Sequence, residues 1–503
     1  MIQVSDAWKD IQQRFLLPES YVEIDCTITE VGAQESASAS GTDEARFSDV
    51  ASVLGISSPV KYATNEHNLW SLDGSHTILP NTAPYSRGGY VSNIASTGSV
   101  ILTFPEVRTV SIPGVTITWG NSYGEYPSVF SVIAKNGDTI VAETTVTDNR
   151  ERISTVFLNI VNYDSITINV WDWCLPNHRA RIEKIVVGHM LTLSKKDILS
   201  FTHEQHGDLL SGELPKNSIE FTLDNIDGRW NPNNPTGMER YLSERQKLTV
   251  RYGLDVNGSI EWIKAGTFYL SEWNAPSNGL EARFVARDIL EFMINVDYKA
   301  PMYGSLKALA EWATSALPDD AVMDISSELD GYSAEYLGDG TAAEIVQKCA
   351  HAARCVIRYD RDGILHIEPL NTAMTEYMVP LSTSYSHPEV TLSKPLKTVS
   401  VDYGADTPYE KIVASSGETQ TVSNDFVNDA NQAAFIADWV ASILASRKTV
   451  SGDFRADPRL DLFDVVAVES KYGKLQPVVI TNIKYTFNGA FHGNYTGRVL
   501  EVT

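Results

Sequence analysis

The residues best equipped for chemistry crowd into one stretch, FTLDNIDGRWNPNNP at 221–235. There Asp224, Asn225, Asp227, Asn231, Asn233 and Asn234 bring six oxygen-bearing side chains into eleven residues. A calcium loop of the EF-hand kind needs oxygen ligands at alternate positions, a glycine sixth and a glutamate twelfth. Counting from Asp224 places Ile226 third and Pro235 twelfth, and counting from Asn225 places Arg229 fifth, a cation inside the cage. As an acid–base pair, Asp224 and Asp227 have no nucleophile or histidine near them. Asp and Asn side chains do bond the backbone two residues on, and Asp-Gly and Asn-Pro open turns. The stretch is therefore predicted to be a long, ordered connection of self-bonded turns, with Trp230 plugged against apolar surface.

Other polar clusters are weaker. His203-Glu204-Gln205-His206 lacks the HExxH spacing of a zinc site, and residues three apart on a strand face opposite ways, so a solvated strand end is predicted. Cys26, Cys174, Cys349 and Cys355 form no CxxC pair, which predicts reduced, buried thiols and neither a zinc site nor a disulfide scaffold. Lysine-rich phosphate loops and a GxGxxG after a strand are absent. No catalytic residue, metal or cofactor is expected, and no enzyme activity. The reading from a different class is a cell-wall glycan-degrading enzyme, which paired carboxylates in one cleft would mark.

Aromatic rings offer a different chemistry, because sugars stack on exposed aromatic faces. The segment 119–126, WGNSYGEY, flanks its rings with Gly and Asn, and 171–178, WDWCLPNH, is the second candidate. The expected glycan-binding set is Trp119, Tyr123, Tyr126, Trp171 and Trp173. For each ring, and for Trp70 in the same segment, ordinary core packing is the competing reading.

These residues need elements to hold them. At 503 residues the chain suggests three or four domains, and 43% hydrophobic residues can fill several cores. A net charge of -24 argues against tight binding to nucleic acid or to an anionic membrane surface. The N-terminal MIQVSDAWKDIQQRF is charged and unlike a signal peptide, and no apolar run reaches the length that spans a bilayer. The chain is expected to be made in a cytoplasm.

A short helical start precedes a strand at 21–29, and the small, polar VGAQESASASGTDEA reads as a linker. From 47 to 188 come short strands at 111–119, 129–134, 139–146, 154–160, 165–170 and 181–188, with a hairpin turn at Asn136-Gly137-Asp138. That spacing predicts a β-sandwich, inserted between strands of a host domain that resumes near 190. The host continues with strands at 218–223, 246–252, 260–263, 266–270 and 281–286, an antiparallel barrel or sandwich. Helical periodicity marks 305–317, 341–353 (with Asp339 as cap) and 433–445. A hairpin around Asp360-Arg361-Asp362-Gly363 lies between them, and paired strands at 465–469 and 478–487 close the chain. The expected class is mainly β with a smaller α+β part: antiparallel barrel-like domains plus an inserted sandwich of jelly-roll type.

Two resemblances sharpen this. NLWSLDGS at 68–75, YPSVFSV at 126–132, YDSITINV at 163–170 and the closing run Pro176–Gly188 together resemble the galactose-binding-like, discoidin-type sandwich. That family commonly binds glycans through loops at one end, and some members hold a structural calcium. The second series is Leu214–Gly237, YLSERQ at 241–246, RYG at 251–253, GTFYLSEW at 266–273 and ARDILEFM at 286–293, then RADPRLD at 455–461 and NGAFHG at 488–493. It resembles tail hub and baseplate (tail-tip) proteins encoded in phages and prophages of Gram-positive bacteria.

The second resemblance implies a structural virion protein, a homotrimeric hub that caps or continues the tail tube. Its implied partners are the distal tail protein, tail tube, tape measure and receptor-binding protein. It implies host adsorption through a cell-wall glycan, DNA contact only in transit, no membrane insertion, and residence in the virion tail after synthesis in the host cytoplasm. On this reading residues 1–30 with 190–295 form the first hub barrel and 47–188 the inserted sandwich. Residues 296–390 form a mixed α/β domain, and 391–503 a second barrel with a helix. An acidic lumen would let DNA slide without sticking. The alternative within assembly proteins is the distal tail ring, which also accepts carbohydrate-binding insertions.

Overall fold

The computed structural model describes residues 2–14, 19–28, 33–45, 48–55, 62–63, 77–78, 89–120, 124–231, 233–234, 237–274, 279–318 and 321–500. The NLWSLDGS segment and Tyr123 lie outside them. The chain is mainly β with a smaller helical part. It divides into two compact units. One comprises Met1–Ile24, Leu193–Gly237 and Lys247–Thr503, and the other Asp25–Thr192 with Met238–Gln246.

The second unit is a sandwich of two antiparallel sheets. One has the strand order Ile153–Ile160, Ile112–Trp119, Arg179–Val187, Tyr90–Ala95. The other runs Ser38–Thr42, Gly98–Arg108, Tyr163–Trp173, Pro127–Asn136, Thr139–Thr147. Alternation builds the core between them: Ile166, Ile168 and Val170 face Val115, Ile117 and Ile185, all within 2% of full burial. The hairpin at Asn136–Thr139 is present, with Gly137 at φ +56°.

The stretch expected to be a linker is part of this sandwich. Ser38–Thr42 pairs with Gly98–Arg108, and Gln34 bridges the Leu54 and Ile185 carbonyls (3.1 and 2.9 Å) while accepting from the Val187 N–H (2.9 Å). Small residues read as flexible because strand propensity is low for Ser, Ala and Gly. A flat edge strand uses their backbones instead. The two ends of the unit meet, since the Thr192 hydroxyl donates to Asp25 Oδ1 at 2.6 Å.

The first unit is built on a thirteen-stranded sheet. Its central run is Lys247–Val256, Ser259–Asn274, Glu281–Arg287, Lys216–Asp224, Ile198–His206, Leu475–Phe487, Phe491–Val499 and Lys448–Phe454. Strands expected to make two separate barrels thus join one sheet, which is open among the described residues. Register explains the joining: Ile198–His206 pairs antiparallel on one side with Lys216–Asp224 and on the other with Leu475–Phe487, linking early and late parts of the chain.

Helices Leu306–Thr314, Ala342–Ala352 and Ala430–Leu444 pack a second core through Leu309, Ile345, Val346, Ile436 and Val440. The cap of the middle helix is Thr341, which forms a reciprocal capping box with Glu344. The expected Asp339 does not cap it. Thr341 succeeds because its hydroxyl reaches the Glu344 N–H while the glutamate returns to the Thr341 N–H.

Candidate interaction sites

The turn-rich stretch is as the sequence predicts. Asp224, Asp227 and Asn231 each accept from the N–H two residues on, at 3.0, 3.0 and 2.9 Å. Buried Asn225 accepts from the Trp230 N–H at 2.9 Å, and Gly228 takes φ +70°. Trp230 is 2% exposed and meets Phe284 edge-on, with centroids 5.3 Å apart. The oxygens of Asp224, Asn225, Asp227 and Asn231 are thus engaged by the loop's own backbone.

His203 departs from expectation. It is fully buried and not a solvated strand end. Nδ1 lies 2.6 Å from the Tyr252 hydroxyl and Nε2 2.7 Å from Asn217 Oδ1, a pattern that a neutral imidazole satisfies by accepting at Nδ1 and donating at Nε2. Burial, reinforced by the Arg361 charge, lowers its pKa to about 4.

Arg361 sits at the tip of the Cys355–Tyr359/Ile364–Pro369 hairpin and points inward, 3% exposed. It donates to the Pro458 and Leu460 carbonyls and pairs with Asp461 at 3.6 Å. The RADPRLD loop it grips is itself tied. Arg459 and Asp457, both nearly fully buried, form a bidentate pair at 2.6–3.0 Å, and the Tyr485 hydroxyl donates to the Asp457 and Leu460 carbonyls.

A cleft of about 320 Å³ in the same unit gathers His206, Asp208, Glu213 and Arg498 beside Leu209 and Ile443. Asp208 is committed to the backbone, accepting from the Leu210 and Gly212 N–H groups at 3.1 and 2.7 Å. All four cysteines are free thiols. Cys26, Cys349 and Cys355 are buried and Cys174 half-buried, and burial raises each thiol pKa.

In the sandwich the two aromatic loops come together at one end. The Cys174 N–H donates to the Tyr126 carbonyl at 3.0 Å. Buried Glu125 accepts from Trp173 Nε1 and lies 3.2 Å from His178 Nδ1. Their indoles, however, point inward. Trp119 is fully buried with Nε1 on the Ser154 hydroxyl at 2.7 Å, Trp173 is 3% exposed, and the two rings meet edge-on at 6.4 Å. Neither offers a face to a sugar: alternation puts Trp119 on the core side, and the β-bulge at Val170–Trp173 returns Trp173 to it. Tyr126 is half-buried against that core.

Trp171 is 57% exposed. Alternation continues the outward positions Ser165, Thr167 and Asn169 to Trp171, and its Nε1 donates to the Ser131 hydroxyl at 3.0 Å. Beneath it an uncharged row crosses the five-stranded sheet: Thr42, Ser99, Asn169, Ser131, Thr145, each opposite the next. Ser99 donates to Asn169 at 2.8 Å. Sequence reading singled out the ring but not the row. The signal was present in the outward positions Ser165, Thr167 and Asn169 that lead to Trp171.

No family model matches the chain, and no curated protein does. Solved structures similar to part of it include three tail proteins. The 43 kDa tail protein of prophage MuSo2 from Shewanella oneidensis has 12% identity and TM-score 0.45, covering 62% of this chain and 94% of that one. The tail protein from Neisseria meningitidis MC58 has 9% identity and TM-score 0.43, covering 61% and 93%. Prophage tail protein gp18 from Listeria monocytogenes EGD-e has 12% identity and TM-score 0.41, covering 61% and 91%. All three scores fall below one half.

Proposed function

We propose that the chain is a structural component of a phage-type tail tip: a trimeric hub with no catalytic role, carrying an adhesive sandwich that meets host-surface glycan. The carrying observation is a separately folded sandwich, its two ends joined by the Thr192–Asp25 bond, spliced into a large β scaffold and bearing an outward tryptophan fixed over an uncharged hydroxyl row. The ordered sequence blocks support the tail-hub reading, and one of them, RADPRLD, is the loop that Arg361 and Tyr485 hold in place.

Purified chain is expected to scatter light as three copies and to image as a threefold ring. A sixfold ring would transfer the assignment to the distal tail protein, and a monomer at micromolar and higher concentrations would overturn the hub reading. The adhesive half has its own test. On an array of bacterial cell-wall polysaccharides, Trp171→Ala is expected to lose about tenfold or more in affinity for whichever glycan the chain retains, since one tenfold step corresponds to ~1.4 kcal/mol. Equal retention of both proteins would move binding away from this face.

A further inference from the structure

A second polar constellation lies in the first unit, on the three-stranded sheet Val322–Ile325, Ile364–Pro369, Cys355–Tyr359. Parallel register sets Asp324 opposite His366, and Glu368 follows two residues on, so it projects from the same face as His366. His366 is 9% exposed. Its Nε2 lies 2.9 Å from Asp360 Oδ2, and the other Asp360 oxygen accepts from the Ile364 N–H at 2.9 Å. The carboxylate is thereby held in place, and it fixes the imidazole with its proton on Nε2 and its lone pair on Nδ1.

That Nδ1 is buried and makes no hydrogen bond. It sits 3.3 Å from Asp324 Oδ2, misaligned for donation. One donor atom each from Asp324, His366 and Glu368 lies within 4.8 Å of the others. Arg358 occupies Glu368 Oε1 at 2.8 Å, which leaves Oε2 for another partner. With a neutral imidazole the group comprises three carboxylates and one guanidinium, an excess of two negative charges.

We propose that Asp324, His366 Nδ1 and Glu368 bind one divalent transition-metal ion of the zinc class. Metal–ligand lengths of about 2.0–2.1 Å in tetrahedral geometry set neighbouring donors about 3.3–3.5 Å apart, which is the spacing already present between His366 and Asp324. One nitrogen and two carboxylate oxygens suit zinc or its neighbours better than calcium or magnesium, which prefer oxygen alone. Asp360 is a positioning residue: a carboxylate on the far nitrogen orients a metal-bound histidine and raises its basicity. The ion would pin Val322–Ile325, whose only strand partner among the described residues is Ile364–Pro369. The rival state is an imidazolium salt-bridged to both aspartates, with no ion.

Full-length chain stripped with EDTA and titrated with ZnCl2 by calorimetry is expected to bind one zinc per chain and to melt at a higher temperature when loaded. Asp324→Asn, at an exposed position that does not threaten folding, is expected to weaken binding at least tenfold and remove the melting shift. Glu368→Gln should do the same. Asp360→Asn should weaken binding about 10–100-fold while keeping the stoichiometry. Wild type that takes up no zinc, or an Asp324→Asn/Glu368→Gln double variant that binds it unchanged, overturns the site.

Discussion

Arg361→Ala should destabilise the first unit by about 3–5 kcal/mol, the range for removing one partner from a buried ion pair. The guanidinium satisfies two carbonyls, Pro458 and Leu460, and faces Asp461. Alanine leaves the Pro458 carbonyl without its donor and Asp461 without its countercharge, although Leu460 keeps the Tyr485 hydroxyl at 2.9 Å and Asp461 the amide of Gln205 at 2.8 Å. Arg361→Lys should recover only part of the loss, because one ammonium cannot span two carbonyls as a planar fork does. Urea unfolding of each protein checks this, with limited proteolysis reporting which unit opens first. A loss below about 1 kcal/mol would mean that the loop at 455–464 holds itself through Asp457 and Arg459.

The second large effect is acid sensitivity centred on His203. An unfolded histidine titrates near 6.5, but this one is held at about 4 by burial and by Arg361. Above pH 6.5 it is neutral in both states and contributes nothing to the pH slope. As pH falls from 6.5 towards 4 the unfolded chain takes up a proton that the folded chain refuses, so stability drops, by about 3 kcal/mol in all, and levels off below 4. His351, lowered to about 4 by burial, acts in the same direction. Asp288, pushed up to about 7 by burial, acts oppositely and strengthens the fold over the same fall in pH. The clean measurement is therefore a difference. The stability gap between wild type and His203→Gln should shrink by about 3 kcal/mol between pH 7 and pH 4. A gap that stays constant would show that the imidazole does not titrate in this window.

The sequence made the local chemistry readable and the long-range chemistry invisible. The turns at 224–234 were legible because Asp and Asn act on their own neighbours. The sandwich strands were legible because alternation is local. Arg361 reads as a solvated turn residue because its partners lie almost a hundred residues away. His203 reads as exposed because only the neighbouring strands, supplying Tyr252 and Asn217, bury and satisfy it. Trp119 and Trp173 border loop-like sequence, but the pleat turns the first inward and a β-bulge the second. Trp171 is the one indole of the set that faces outward, and the polar row beneath it needed five strands in register. The Asp324–His366–Glu368 group is scattered over more than forty residues and joined only by a parallel strand pair.

The Thr192–Asp25 bond carries a consequence for how such a chain changes over time. A segment such as 25–192, whose beginning and end touch, can be cut out or exchanged in a single recombination event, provided the replacement also starts and finishes at one point. The strands that receive it keep their spacing. The inserted segment can then diversify quickly, while the receiving sheet stays under the slow constraint of its own packing.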